Sequence, residues 1–228
     1  MRTSLTRNRA RLAGFSPFPI VITRLCIVRH GETDWNAGRR IQGQIDVPLS
    51  AVGHAQARAT GNALGDEGFA ALYSSDLIRA RQTAEALAHL AHRPLQLHAG
   101  LRERHYGAFQ GLTYAEAETR HPADYARHKA RDVRFAPAGG ESLLGFSARL
   151  ADTFDEILRR HAGTSVAVFT HGGVLDILYR QATQRPLDTP RDFVIPNCGI
   201  NWFEVANGCW TLLSWAEREH LDRTRDEL

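Results

Sequence analysis

The sequence predicts an α/β fold, a doubly wound and mainly parallel sheet flanked by helices and finished by a C-terminal antiparallel hairpin. Three observations predict it. Short apolar runs rich in β-branched residues alternate with segments of helical period, the order of strand–helix–strand units. Two of these runs, "LCIV" at 25–28 and "VAVFT" at 166–170, lead into the same punctuation, a histidine followed by a glycine and then a helical segment. The last run, "INWFEVANGCWTLLSW", carries Asn207-Gly208 between two β-rich halves, the signal of a hairpin with a two-residue turn.

Leu25–Val28 is apolar throughout and includes two β-branched residues, the pattern of a strand covered on both faces. Ser50 caps a helical run to about Leu64, with Gly65 as its stop. "ALYSSDLIRARQTAEALAHL" reads as a short strand ending near Ser74, an Asp76 cap and a helix to about Leu90. "PLQLHAGLRE" offers a further short strand. Residues 104–140 have mixed periodicity, with Pro122 and Pro137 and no core pattern, and read as an insertion or lid. Leu143, Phe146, Leu150, Phe154 and Ile157 recur at steps of three and four, which makes an amphipathic helix.

The length of 228 residues suits one α/β domain, taken as 20–228. Net charge is +3, but Arg2, Arg7, Arg9 and Arg11 lie in residues 1–19, which hold no acid, so the rest of the chain is close to neutral. Residues 1–19 therefore read as a disordered basic arm, and no nucleic-acid-binding face is indicated. No apolar stretch approaches the ~20 residues of a membrane span, so no membrane partner is expected. Cys26, Cys198 and Cys209 are odd in number and form no CxxC, which points to reduced thiols and a cytoplasmic setting. Monomer and homodimer both remain open, the hairpin offering a free edge.

Open α/β sheets place ligands beyond the carboxyl ends of their strands. Arg29 and His30 leave the first strand there, and Gly31 lets the chain turn with its N–H approachable. Arg79 sits in the first turn of the helix after "LYSSD", where a cation works against the helix dipole and needs an external reason. His171 and Gly172 leave "VAVFT", and Glu103 follows the "PLQL" strand. Two arginines, two histidines and a carboxyl group around one point suit a phosphoryl group. His30 can then be a nucleophile, because nearby guanidiniums disfavour imidazolium and keep a lone pair free. Beside a bound phosphate dianion the charged form of Glu103 is disfavoured, so it can hold a proton and hand it to a departing oxygen. A metal site on the two histidines is the main rival, but no HExxH or DxD accompanies them. No metal is expected.

"RHGET" (29–33), "LSAVGHAQA" (49–57), "SSDLIRARQTA" (74–84), "LRERHYGAFQGLT" (101–113), "GGES" (139–142) and "THGG" (170–173) together resemble the histidine phosphatase, or phosphoglycerate-mutase-like, superfamily. The resemblance implies that His30 is phosphorylated during turnover. It implies phosphate contacts from Arg29, Arg79 and His171, proton donation by Glu103, and a pocket also lined by Asn36 and Gln42. The expected activity is phosphomonoester hydrolysis on a small phosphorylated metabolite. The alternative is a phosphoglycerate mutase, the only reading that calls for a cofactor, 2,3-bisphosphoglycerate. Against it, the mutase pattern's lysine falls on Tyr114, its paired arginines on Lys129 and Ala130, and the asparagine of its "HGN" on Gly173. Arg127, Arg131 or Arg134 would supply the missing charge if the alignment shifts. A catalytically silent relative that binds phosphorylated partners is a third reading, and it has no use for a proton donor.

Overall fold

The computed structural model describes residues 21–222, so the basic arm expected at 1–19 lies outside the described residues. Six strands form one sheet: β1 (Ile22–Arg29), β2 (Ala71–Ser74), β3 (Leu95–Leu97), β4 (Ser165–Thr170), β5 (Ile200–Ala206) and β6 (Cys209–Glu217). Their order is β3-β2-β4-β1-β5-β6. β1 to β4 run parallel to one another, and β5 and β6 add antiparallel beyond β1.

The unbroken apolar run of β1 has a direct cause. Leu25 and Ile27 face one layer, with Phe146, Leu150 and Phe154 of α6 (Leu143–Arg160) and Val174 and Leu178 of α7 (Gly172–Thr183). Cys26 and Val28 face the other, against Leu64 of α2 (Ala51–Leu64) and Ala84 and Leu87 of α3 (Ile78–Leu90). A strand sandwiched between two helical layers has no face left for polar residues. The remaining helices are α1 (Asp34–Ala37), α4 (Tyr114–Arg120), α5 (Pro122–Lys129) and α8 (Glu219–Asp222).

The helix ends bear out some expectations and correct others. Ser50 Oγ accepts the Gly53 N–H at 3.1 Å, as a cap should. Gly65 ends α2 while staying right-handed at φ −57°. Asp76 does not cap α3. The N-cap is Leu77, which has no side chain to offer, and Asp46 from another segment accepts the Ile78 N–H at 2.6 Å instead. Asp76 is occupied by Arg102, whose Nε donates to it at 2.7 Å. The hairpin turn at Asn207-Gly208 has φ of 51° and 76°, the left-handed pair that such a two-residue turn requires.

Residues 104–140 hold more order than their sequence pattern predicts. They contain a 3-10 turn at Gly107–Phe109, then α4 and α5, built on a small core of Ile41, Phe109, Ala117 and Phe135. Helices of seven and eight residues are too short to show a period. The Thr113–Glu116 capping box was the legible signal.

Candidate active site

The parallel pairing of β1 with β4 matches Arg29 to Thr170, so His30 and His171 are the next residue on each strand. Their ring centroids are 5.3 Å apart, and both side chains are buried. Nδ1 of His30 lies 2.7 Å from the Gly31 carbonyl. A carbonyl only accepts, so Nδ1 of the neutral ring carries the hydrogen and Nε2 keeps its lone pair. Burial first, then Arg79 and Arg29, hold the His30 pKa well below 6.5, against the smaller opposing effect of the Gly31 hydrogen bond.

His171 is set by a residue whose role the sequence did not reveal. Ser75 Oγ accepts the Leu77 N–H at 3.3 Å, so its own proton is available to Nε2 of His171, 2.8 Å away. The hydrogen of neutral His171 then sits on Nδ1, which is buried and has no protein partner. Burial, Arg79 and His30 lower its pKa well below 6.5 as well. Asn197 is a second such residue. Its Nδ2 donates to the His30 carbonyl at 2.9 Å, from a loop after α7 that has no sequence signature.

Two guanidiniums close over the histidines. Arg79, 1% exposed, donates through Nη1 to the Ile45 carbonyl at 3.0 Å and through Nη2 to the Gly43 carbonyl at 2.7 Å. Its Nε has no partner. Burial pushes its pKa down to about 10, which leaves it a cation at neutral pH. Arg29 donates through Nη1 to the Ile195 carbonyl, and its Nε is likewise buried and unpartnered. Buried donors without acceptors are uncommon. Arg29 and Arg79, each with an unpartnered Nε, line the same inner cavity, and two such cations suit an anion with several oxygens, whereas His171 packs against His30 and lines neither cavity.

Glu103 faces them from the loop after β3. Its Oε1 accepts the Arg104 N–H at 2.8 Å and its Oε2 the Gly173 N–H at 2.9 Å. Arg149 anchors that loop by donating to the carbonyls of Gly100 at 2.7 Å and Arg102 at 3.1 Å. At Gly173, where the mutase pattern has asparagine, a Cβ would stand 2.1 Å from Glu103 Oε1, so a side chain there would require the carboxylate to shift. Gly31 also differs from its expected use. Its N–H donates to Thr83 Oγ1 at 2.9 Å and is not offered to a ligand. What requires glycine there is the approach of α2, since a Cβ would lie 2.7 Å from the Gly53 carbonyl oxygen.

The space between these groups is divided in two. An inner cavity of about 120 Å³ is lined by Arg29, His30, Asn36, Gln42, Arg79 and Glu103 among others. Asn36 Oδ1 accepts from Thr33 N at 3.1 Å as part of the α1 capping box, so only its amide N–H groups are free for a ligand. Gln42 is 8% exposed and its Oε1 has no partner. An outer cavity of about 210 Å³ continues past Glu103 and is lined by Gly172, Gly173, Arg131, Asp176 and Arg191, with Tyr106, Tyr114 and His128 common to both. Gly172, expected on its place after the strand to be substrate-binding, lies on the wall of the outer cavity against Arg29. Among the described residues there is no cluster of three or more His, Cys, Asp or Glu that could hold a metal ion. No helix among them is long and apolar enough to cross a membrane.

A sheet edge that sets two neutral histidines beneath two arginines and opposite a carboxylate defines a phosphoryl-handling enzyme. The chain belongs to the histidine phosphatase superfamily (branch 1), whose family profile matches residues 25–218. It is 38% identical over 203 residues to a metal-independent phosphoserine phosphatase of Arabidopsis thaliana, covering 88% of this chain and 84% of that one. It is 37% identical over 175 residues to a glucosyl-3-phosphoglycerate phosphatase of Mycolicibacterium vanbaalenii, covering 73% and 77%. The solved structure of a mycobacterial glucosyl-3-phosphoglycerate phosphatase superimposes with a TM-score of 0.78 at 31% identity, over 86% of this chain and all of that one (100%).

Proposed function

We propose that this protein hydrolyses small phosphomonoesters in two phosphoryl-transfer steps, with His30 as the nucleophile. The observation that supports it most is the state of His30: Nδ1–H engaged by the Gly31 carbonyl, the ring kept neutral by burial and two arginines, and Nε2 left with its lone pair. In the first step Nε2 attacks phosphorus and the bond to the leaving oxygen breaks. Glu103 acts as the general acid and gives that oxygen a proton. Arg29, Arg79 and Nδ1–H of His171 take up charge on the three non-bridging oxygens. In the second step Glu103, now a carboxylate, removes a proton from water as the water oxygen attacks phosphorus. The P–N bond breaks, inorganic phosphate leaves, and His30 is neutral again.

The guanidiniums offset the phosphoryl charge at every stage, so turnover needs no added metal and survives EDTA. Hydrolysis is favoured over mutase chemistry by the fate of the extra cations. Lys129 is exposed and its nearest acid is Glu118 at 3.9 Å, while Arg131 is tied to Asp176 at 2.6 Å. Lys129 lines neither cavity, so of the two only Arg131, through its remaining Nη1, is placed to meet a second anionic group, where the mutase pattern has paired arginines. The three cysteines are unpaired and support a reducing, cytoplasmic setting. The test is phosphate release from a panel of monoesters, run beside interconversion of 3-phosphoglycerate and 2-phosphoglycerate with 2,3-bisphosphoglycerate present. Phosphate release with negligible interconversion is expected; fast interconversion with negligible release would overturn hydrolysis.

A further inference from the structure

The outer cavity contains charged groups that the phosphoryl chemistry does not use. Asp176 lies three and four residues beyond Gly173 and Gly172, on the same face of α7, and so reaches the same cavity. It is 4% exposed. Its Oδ2 accepts from Arg131 Nη2 at 2.6 Å and from Arg180 Nε at 3.3 Å, but its Oδ1 is buried with no partner. Holding two arginines accounts for Oδ2 and leaves Oδ1 unexplained. A buried carboxylate oxygen without a donor is costly. Arg131 is its complement. Nε donates to the Leu187 carbonyl at 2.7 Å and Nη2 to Asp176, which leaves Nη1 uncommitted on the cavity wall. Arg191 adds a cation to the same wall.

We propose that Arg131 and Asp176 form a leaving-group subsite, and that the substrate's alcohol carries a hydrogen-bond donor beside an acceptor. Two chemistries meet that requirement: an ammonium next to a carboxylate, and neighbouring hydroxyls. The proposal rests on the hydrolase reading only in that the phosphate occupies the inner cavity.

Binding separates the two claims. The full chain and two variants, Asp176→Asn and Arg131→Gln, are titrated calorimetrically with three non-hydrolysable phosphonates: the analogues of phosphoserine and of glycerol phosphate, and plain propylphosphonate. The wild type should bind at least one polar analogue roughly tenfold or more tighter than propylphosphonate, and which one identifies the donor. Each variant should bring that preference close to unity. Arg131→Gln leaves the Asp176–Arg180 pair in place and covers the case in which Asp176→Asn fails to fold. Equal binding of all three phosphonates to the wild type, or a preference untouched in the folded variants, would overturn the subsite. Selective binding without hydrolysis of the matching phosphate esters would sink the hydrolase reading and leave the subsite standing; hydrolysis without selectivity would do the reverse.

Discussion

Glu103 and Gly173 occupy each other's space: one carboxylate oxygen accepts the Gly173 N–H at 2.9 Å, and the other stands 2.1 Å from where a Cβ at residue 173 would be. A side chain at 173 would require the Glu103 carboxylate, the proton donor of the proposed mechanism, to shift. Gly173→Ala should displace Glu103 and lower turnover of alkyl phosphates by roughly 10²-fold, the lower end of what general acid catalysis contributes. Aryl esters with acidic leaving groups depend less on that proton in the first step. A ratio of alkyl to p-nitrophenyl phosphate turnover that stays constant in this variant would refute the seating role.

Ser75 Oγ stands 2.8 Å from Nε2 of His171 and, accepting the Leu77 N–H, is placed to donate to it. Ser75→Ala removes the donor to Nε2 and frees the ring to carry its hydrogen on either nitrogen. About tenfold should be lost from kcat/KM, the worth of one oriented hydrogen bond in a buried site. The melting temperature should fall by a few degrees as well, because the buried Leu77 N–H and His171 Nε2 lose their partner. Unaltered kinetics would show that His171 is oriented by packing alone.

The buried imidazoles set a pH dependence whose sign is fixed. His30 and His171 have folded pKa values well below 6.5, and burial lowers that of His128 to about 4. As pH falls below 6.5 the unfolded chain takes up protons that the folded chain refuses. Stability is therefore present above pH 6.5 and is lost as pH falls toward the folded values, for His128 toward about 4. Thermal melts should weaken steadily across that window, and less steeply in His128→Phe. The acid limb of kcat/KM should likewise lie below pH 6.5, because His30 stays unprotonated; a limb above 6.5 would contradict a neutral nucleophile.

Asn197 donates to the His30 carbonyl at 2.9 Å and to Asn36 Oδ1 at 3.4 Å, which ties the loop after α7 to His30. Asn197→Ala should raise KM and lower kcat together, each by a few fold, through a less fixed His30. Kinetics identical to the wild type would exclude this positioning role.

What could be read in the chain and what could not follow one physical division. The strand ends at His30 and His171 were legible because covering on two faces imposes an apolar run and the turn residues then mark its end. Arg79 stood out because a cation in a helix's first turn is locally unfavourable. Groups brought together only by packing left no local trace. Ser75 and His171 are 96 residues apart, Glu103 and Gly173 are 70 apart, and Asn197 lies 167 from His30. Asp46 replaced Asp76 at the α3 cap for the same reason: spacing along the chain cannot show that Arg102 has already claimed Asp76. The use of Gly31 was misread because a bare N–H looks available until Thr83 is found beside it.

The nucleophile itself is tested by trapping the phosphorylated protein. Turnover with labelled substrate, quenched in alkali and mapped by mass spectrometry and phosphorus NMR, should place the phosphoryl group on Nε2 of His30. The adduct should be labile in acid and absent from His30→Ala, which should be inactive. Label on Nδ1, an acid-stable adduct on Ser75, or full activity in His30→Ala would contradict the mechanism.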